Sequence, residues 1–319
     1  MPISNQLLVA IHSTDDGEIT LAKAARIAVS LDAALHVVRV VHETFADLTL
    51  HEVETREALK SAVLRDAEDE VLEMIAAWQA DAPKTVSMSC SVVWQTRDWP
   101  VILAIAEQID ADLIIKSMAS STLGFIRTPS DWHLLRHSTC PVMLVTPINW
   151  TQRPNIIAAV DASHDEPSAL CDSILNNAQQ LTAILRGQLH VASAFPSVER
   201  WLGPISVAID FNKVRDNVQK QTDQNIEALT ARLKITGAHA HSREGEPANV
   251  ITGLCHALDA QVLVVGTAQS TGPKMILLSN TAEQILQQVR CDVLVVVAAQ
   301  PEPQLEPQLE PKPKPKVQA

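Results

Sequence analysis

The sequence contains no tyrosine, and aromatic residues make up only 3% of the chain. A common acid–base and ring-stacking group is therefore missing. No segment approaches the roughly 18 uninterrupted apolar residues that a membrane-crossing helix needs. The first residues, Met1 to Gln6, lack the charged and apolar blocks of a secretion signal. We therefore expect a cytoplasmic protein with no membrane partner.

Motifs of common hydrolases and of zinc enzymes are also absent. Neither Gly-x-Ser-x-Gly nor His-Glu-x-x-His occurs in the chain. The five cysteines form no Cys-x-x-Cys pair, and an odd, dispersed set is typical of reduced thiols in a cytosolic protein. They are Cys90, Cys140, Cys171, Cys255 and Cys291. These absences favour a protein that is not an enzyme and holds no metal.

The net charge of −12 belongs to the folded body of the chain. Three glutamates and three lysines in residues 301–319 cancel one another. An acidic body repels phosphate backbones and anionic lipids, so we expect no nucleic-acid partner. Residues 299–319 are rich in proline and of low complexity, which predicts an extended, disordered tail.

Four short apolar segments occur twice, in the same order and about 150 residues apart. The matched pairs are Leu7–His12 with Ile156–Asp161, Ala34–Val38 with Gln188–Ala192, Ala111–Lys116 with Ala260–Val265, and Cys140–Val145 with Cys291–Val296. Such ordered recurrence indicates a duplicated domain. We place the first copy at residues 1–148 and the second at 154–298.

Within each copy the apolar runs are continuous, which is typical of strands that are buried on both faces. Helical stretches lie between them, and Ile19 to Leu31 has apolar residues near the 3.6-residue period. Alternating strands and helices predict right-handed crossovers and a parallel sheet. The predicted fold class is α/β: two tandem doubly wound domains, each a five-stranded parallel sheet with helices on both faces.

The last strand of each copy would be an aggregation-prone edge if it were exposed, because it is apolar and uncharged. These strands are Val142–Val145 and Val293–Val297. Pairing the two edges across a pseudo-two-fold axis covers both of them. We therefore expect an intramolecular pseudo-dimer, and whether two such chains form a homodimer stays open.

Ligands of open parallel sheets bind beyond the carboxyl ends of the strands. In the second copy, Asp161 closes the first strand, and a run of small residues beginning at Gly266 follows the fourth. A loop of small residues that leads into a helix presents backbone N–H groups to an anion. The sequence therefore predicts a cleft between these two loops.

Two further segments carry a family resemblance. They are Thr128-Pro-Ser-Asp-Trp-His-Leu-Leu-Arg136 in the first copy and Asn280-Thr-Ala-Glu-Gln284 in the second. With them, residues 5–298 resemble the tandem E-type members of the universal stress protein family. The resemblance implies a Rossmann-like fold of the adenine nucleotide alpha hydrolase kind and a role in bacterial stress response.

Nucleotide-binding members of that family carry Gly-x2-Gly-x9-Gly-Ser/Thr at this loop. Gly266 fits the first glycine position, but the next three positions hold other residues, namely Gln269, Ser279 and Asn280. Thr281 then opens the helix. The resemblance also implies that Asp161 faces an adenosine and that Val191, the residue after the second strand, flanks its base. In the first copy His12 replaces the aspartate, and Lys116 begins the segment that replaces the glycine loop.

Three functions remain open at this stage. The first is a non-enzymatic sensor or scaffold with a pocket for a small molecule, either a nucleotide or an apolar ligand, in the second copy. The second is an ATP-binding switch centred on Asp161, Gly266, Asn280 and Thr281, with slow hydrolysis possible. The third is an interaction module whose acidic surface recruits a protein partner. Side chains at Gln269 and Ser279 would intrude where the backbone must approach a phosphate, so ATP is not a certain cofactor.

Overall fold

A computed structural model of the chain describes residues 6–42, 53–121, 124–126, 128–163, 168–197, 210–269, 276–277 and 280–297. The first repeat contains β1 Gln6–Ile11, α1 Thr14–Leu31, β2 Ala34–Val41, α2 Val53–Asp81, β3 Met88–Trp94, α3 Asp98–Gln108, β4 Leu113–Ser117, β5 Ala119–Ser121, β6 Gly124–Ile126, α4 Pro129–His137 and β7 Val142–Val145.

The second repeat has the same order of elements, except that one continuous strand, β11, takes the place of β4 and β5. It contains β8 Asn155–Ala159, α5 Ala169–Leu185, β9 Gln188–Phe195, α6 Phe211–Arg232, β10 His239–Glu244, α7 Pro247–Ala257, β11 Ala260–Gln269, β12 Ile276–Leu277, α8 Asn280–Gln288 and β13 Asp292–Val297. The predicted tail, residues 299–319, lies outside the described residues. None of the helices in the described ranges is both long and apolar enough to cross a membrane.

All the main strands join one continuous sheet in the order β10-β9-β8-β11-β13-β7-β4-β1-β2-β3. Neighbours within each repeat are parallel, whereas β13 and β7 are antiparallel. Leu294 lies opposite Met143 at the centre of that pair. The predicted α/β fold and the pairing of the last strands about a pseudo-two-fold axis are confirmed. Neither apolar edge is exposed, because each covers the other.

Helices cover both faces of this sheet because its strands are apolar on both sides. Leu7 and Val9 point into a core that includes α1, α2, α5 and α6, and the intervening Leu8 points into a second core with α3, α4, α7 and α8. All four residues of β7 are buried. Each fully buried Leu, Ile or Val side chain stabilises the fold by about 1.5–3 kcal/mol.

A short antiparallel hairpin follows the fourth strand of each repeat. In the first repeat β5 pairs with β6, and in the second the end of β11 pairs with β12. The run that begins at Gly266 was expected to form a loop at once, and this expectation is wrong. Gly266 to Gln269 continue β11, because Gln269 pairs with Ile276 in the hairpin.

A buried ion pair joins the two repeats beside the β7–β13 seam. Lys23 Nζ on α1 lies 2.6 Å from Asp292 Oδ2 at the start of β13, and both side chains are at most 3% exposed. Thr146 donates to Asp292 Oδ1 from its backbone N at 2.8 Å and from Oγ1 at 2.7 Å. Trp150 Nε1 donates to Asp292 Oδ2 at 2.7 Å. The carboxylate is therefore compensated by four donors from the first repeat and the connector.

Burial acts on both members of this pair. It lowers the pKa of Lys23 and raises the pKa of Asp292, and the attraction between the two groups opposes both shifts. A charge that loses its partner in such a site has no water to replace it. The pair is therefore a strong constraint on how the repeats sit together, because neither group tolerates separation.

We expect Lys23→Met to lower the free energy of unfolding by about 3–5 kcal/mol, because Asp292 then stays buried without its cation. Urea denaturation followed by circular dichroism measures this change. Lys84→Met is the matched control, since Lys84 pairs with Asp32 on the exposed surface. It should leave the unfolding midpoint unchanged, and equal effects of the two variants would contradict the assignment.

Three histidines meet at the edge of the sheet formed by β9 and β10. Nδ1 of His190 lies 3.0 Å from Nε2 of His241, and the ring of His239 stacks on His190 with centroids 5.2 Å apart. Nε2 of His190 is buried and has no hydrogen-bond partner among the described residues. Burial, followed by the nearby rings of His241 and His239, lowers the pKa of His190 to about 4. Burial, followed by Arg243 and His239, also lowers the pKa of His241.

Acid should weaken this edge. An unfolded histidine titrates near pH 6.5, so the neutral His190 ring contributes its full stability above that pH. The contribution is lost as the pH falls through the folded pKa of about 4. We expect the free energy of unfolding of His190→Phe to fall less than that of the native protein between pH 7 and pH 4.5. Urea titrations at both pH values measure this difference. His256→Phe, at an exposed position of α7, should behave like the native protein.

Candidate ligand-binding cavity

The second repeat contains a cavity of about 700 Å³ at the carboxyl ends of β8, β9 and β11. The start of α5, the loop before α7 and the start of α8 complete its walls. Asp161, Gly266 and Thr281, three of the predicted site residues, all line it. Their convergence follows from the parallel sheet, because the loops after its strands meet at one edge.

Asp161 lies two residues after the end of β8 and is exposed. Its Oδ1 accepts hydrogen bonds from Ser163 N at 3.0 Å and from Ser163 Oγ at 2.5 Å. Its backbone oxygen lies 3.6 Å from Sγ of Cys171 on α5. Ser163 and Cys171 also line the cavity. The carboxylate is therefore held at the mouth of the cavity, and its second oxygen has no hydrogen-bond partner among the described residues.

Gly266 allows a close approach to helix α5. A Cβ atom on this residue would lie 2.5 Å from Cδ1 of Leu170 and 2.8 Å from Cδ1 of Ile174. Leu170 and Ile174 line the cavity together with Gly266. The glycine therefore faces apolar side chains in this structure, and its first contact is with α5.

The other predicted loop residues are placed differently. Gln269 is the last residue of β11, and Asn280 is the exposed first residue of α8. Asn280 is not among the described residues that line the cavity. Ser279 lies outside the described residues. A part in ligand binding for these three residues stays a prediction.

Val191 does not reach the cavity, and the expectation that it follows the second strand is wrong. It lies in the middle of β9, which continues to Phe195, and its side chain is fully buried against the core on the α6 face. Ala194, Pro196 and Ser197 line the cavity from this strand instead. The apolar run Leu-His-Val-Ala-Ser-Ala-Phe has no turn residue before Pro196, which is the signal that marks the true strand end.

Sequence reasoning also missed Glu246, which lines the cavity from the loop before α7. The chain turns there at Gly245, whose φ of 142° few other residues adopt. Together with Asp161, Glu246 gives the cavity two carboxylates, and the lining within the described ranges includes no lysine or arginine. The remaining walls are mostly apolar, as at Ile174, Ile251 and Ile285.

A histidine pair on α4 escaped sequence reasoning too. His133 and His137 lie one turn apart, and both rings stack on Trp99 of α3, with centroids 5.0 and 5.2 Å away. Nδ1 of His137 lies 2.8 Å from the backbone oxygen of His133. In the described part of the chain, no group of three or more His, Cys, Asp or Glu residues could hold a metal ion. The pair therefore packs the two helices together.

The corresponding place in the first repeat is almost filled. A recess of only about 10 Å³ remains beside His12 and Lys116. Lys116 Nζ lies 2.8 Å from Asp131 Oδ1 and 3.5 Å from Asp98 Oδ2, with Lys116 and Asp131 at most 7% exposed. Asp131 also accepts a hydrogen bond from the backbone N of Thr128, which caps α4. Three charged side chains thus occupy the space that is open in the second repeat.

An alignment of the two repeats shows which residues differ at this place. Lys116 aligns with Val265, and Asp131 aligns with Ala282 when the buried leucines of α4 are matched to Ile285 and Leu286 of α8. Val265 and Ala282 both line the cavity of the second repeat. A small apolar pair therefore leaves the cavity open, and a long cation with its carboxylate closes it.

We expect Lys116→Val alone to lower the free energy of unfolding by about 3–5 kcal/mol, because it leaves Asp131 buried without its cation. Adding Asp131→Ala should recover part of this loss, since the double variant carries the residue pair of the second repeat. The recovery is incomplete because the cap on α4 is also removed, at about 1 kcal/mol.

Urea denaturation of both single variants and the double variant measures the coupling. Arg136→Ala with Glu283→Ala, a partly exposed pair between α4 and α8, is the control cycle. Additive losses at Lys116 and Asp131 would contradict the buried pair.

Residues 4–146 and 153–297 each match the sequence profile of the universal stress protein family. The chain belongs to the universal stress protein family. Universal stress protein E of Salmonella typhi is 27% identical over 307 residues, which cover 93% of this chain and 95% of that protein. The homologue of Haemophilus influenzae is also 27% identical, over 90% of this chain and 96% of that protein. The resemblance to tandem E-type members is therefore confirmed.

Solved structures agree with the tandem fold of the family. A functionally unknown protein of Pseudomonas aeruginosa PAO1 is 25% identical and superposes with a TM-score of 0.66 over 92% of this chain and 93% of that chain. A universal stress protein from Archaeoglobus fulgidus is 16% identical, with a TM-score of 0.64 over 93% of this chain and 99% of that chain. At this identity the second likeness shows the fold alone.

Proposed function

We propose that this member of the universal stress protein family is a non-enzymatic sensor or scaffold of the cytoplasmic stress response. Its second repeat would bind a small molecule of little negative charge, and its first repeat would be architectural. The observation that carries the proposal is the contrast between the repeats: a cavity of about 700 Å³ in one and a recess of about 10 Å³ in the other.

The charges around the cavity support this choice of ligand. Asp161 and Glu246 both line it, and no cation does so within the described ranges. Among the residues that the structure describes, a triphosphate brought into such a site meets two like charges and no compensating donor fork. A ligand that offers hydroxyl or amino groups to the two carboxylates and an apolar body to Ile174 and Ile251 fits these walls better.

A non-catalytic role rests on the kinds of groups at the cavity. Two nucleophile types lie beside Asp161: Ser163, whose Oγ donates to the carboxylate at 2.5 Å, and Cys171, whose thiol points at a backbone oxygen. Activation of a serine or cysteine commonly uses a histidine as the neighbouring base, and no histidine lines the cavity among the described residues. Chemistry on a bound ligand therefore has little support.

The ATP-binding switch remains the second candidate. It is favoured by one observation, which is that Asp161, Gly266 and Thr281 line a single cavity as the family resemblance implies. In this alternative a nucleotide would approach from the side of the hairpin β11–β12. Recruitment of a protein partner by the acidic surface is compatible with either candidate.

We expect the double variant Val265→Lys with Ala282→Asp to abolish ligand binding, because it copies the residue pair that fills the first repeat. The neutral probe N-phenyl-1-naphthylamine, followed by fluorescence, measures binding to the native protein and the variant. Gln284→Asp with Gln287→Lys adds the same charges to the exposed side of α8 and is the matched control. Unchanged probe binding in the cavity variant would refute the proposed site.

Calorimetric titration with Mg-ATP separates the two candidates. The first predicts no stoichiometric micromolar binding. Such binding, if lost in Asp161→Ala, would instead establish the nucleotide switch. Native mass spectrometry of the purified protein then shows whether a molecule is retained in the cavity.

A further inference from the structure

A second concave site lies between the repeats. It is separate from the proposed cavity, and the charged side chains that line it have the opposite sign. We call it the interdomain groove, and its main walls are Arg26, Trp78, Trp150, Arg153 and Arg186. Its volume is about 850 Å³. In the second repeat it lies at the amino ends of the strands, beside Arg153 and Gln188, whereas the cavity lies at their carboxyl ends.

The charge of the groove is opposite to that of the protein. Three arginines line it and no aspartate or glutamate does so among the described residues, although the chain carries a net charge of −12. Arg153 and Arg186 are exposed, and neither has a carboxylate partner within the described part of the chain. A cleft lined by one sign of charge concentrates ligands of the other sign.

One wall of the groove is held rigidly. Arg26 donates from Nη1 to the backbone oxygen of Thr151 at 3.0 Å, and from Nη2 to those of Gln152 at 3.1 Å and Leu185 at 2.9 Å. Its guanidinium lies 6.0 Å from the ring centroid of Trp150. These bonds tie α1 to the connector and to the end of α5. Arg26 therefore positions the groove and adds charge to it.

The free donors come from the two other arginines. Arg186 ends α5, and Arg153 lies in the connector just before β8. Both belong to segments that Arg26 holds, so their backbones are fixed relative to each other. A guanidinium offers a planar fork of donors that matches a phosphate or a carboxylate.

Two indole rings supply the apolar part of the site. The indole of Trp150 is held in place by Asp292, because its Nε1 donates to the Asp292 carboxylate at 2.7 Å. Trp78 lines the groove from the end of α2. Tryptophan presents a large apolar face, and sites between domains are frequent places for small ligands.

We propose that the interdomain groove binds a small aromatic organic anion. Its phosphate or carboxylate group contacts Arg153 and Arg186, and its planar ring lies against Trp78 and Trp150. The site is separate from the proposed cavity, and it takes ligands of the opposite charge. Occupation of the groove would contact both repeats and the connector at once.

Titration calorimetry of the full chain with four probes tests this proposal: 1-naphthyl phosphate, 1-naphthoate, neutral 1-naphthol and inorganic phosphate. We expect one or both aromatic anions to bind at least about tenfold more tightly than 1-naphthol and inorganic phosphate. Whichever aromatic anion binds more tightly identifies the preferred charged group. Arg153→Ala with Arg186→Ala should weaken its binding by about tenfold or more.

Arg56→Ala with Arg65→Ala is the matched control, because it removes two exposed arginines from the distant half of α2. This variant should bind the aromatic anions like the native protein. Val265→Lys with Ala282→Asp should also keep this binding, so failure of the cavity proposal does not affect the result. The proposal is overturned if no aromatic anion binds, if 1-naphthol binds equally well, or if both arginine pairs have the same effect.

Discussion

The antiparallel pair β7–β13 determines how the two repeats lie relative to each other. It joins two parallel sheets into one, and it places α1 beside α5 on one face and α4 near α8 on the other. Lys23 and Asp292 fasten the seam from the α1 side, where a buried charge tolerates no separation. The interdomain groove is positioned by this arrangement, because its walls come from both repeats.

Much of the fold follows from local sequence. Continuous apolar runs such as Val142–Val145 identify doubly buried strands, and their lack of charge makes the pairing of two edges predictable. The hairpins β5–β6 and β11–β12 could not be read in the same way. Gln269 stands there in place of the family's glycine, and a residue with a Cβ atom lacks glycine's freedom to adopt positive φ, so β11 runs on where a loop was expected.

The site is predictable only in outline. Placing Asp161 and Gly266 at one edge needs no more than the rule for parallel sheets, and Thr281 follows with the helix. The prediction that Val191 follows the second strand failed because a strand ends at the last residue that pairs with the neighbouring strand. β9 pairs with β10 as far as Phe195. Glu246 was invisible because its role depends on the turn at Gly245. Lys116, in contrast, was a visible signal, since a lysine inside an apolar strand needs a buried partner.

At the β7–β13 seam, the ion pair Lys23–Asp292 has no symmetry-related counterpart among the described residues. Counting back from the helix ends at Asp32 and Arg186, the counterpart of Lys23 is Asn177, and the counterpart of Asp292 is Pro141. Asn177 is buried and donates to Ser173 of its own helix, so no second cross-link exists at that pair. Two identical chains that associated by the same axis would carry every substitution twice. Covalent fusion of the two halves therefore lets each half acquire its own substitutions. One half can fill its interior with a buried ion pair, while the other keeps an open cavity.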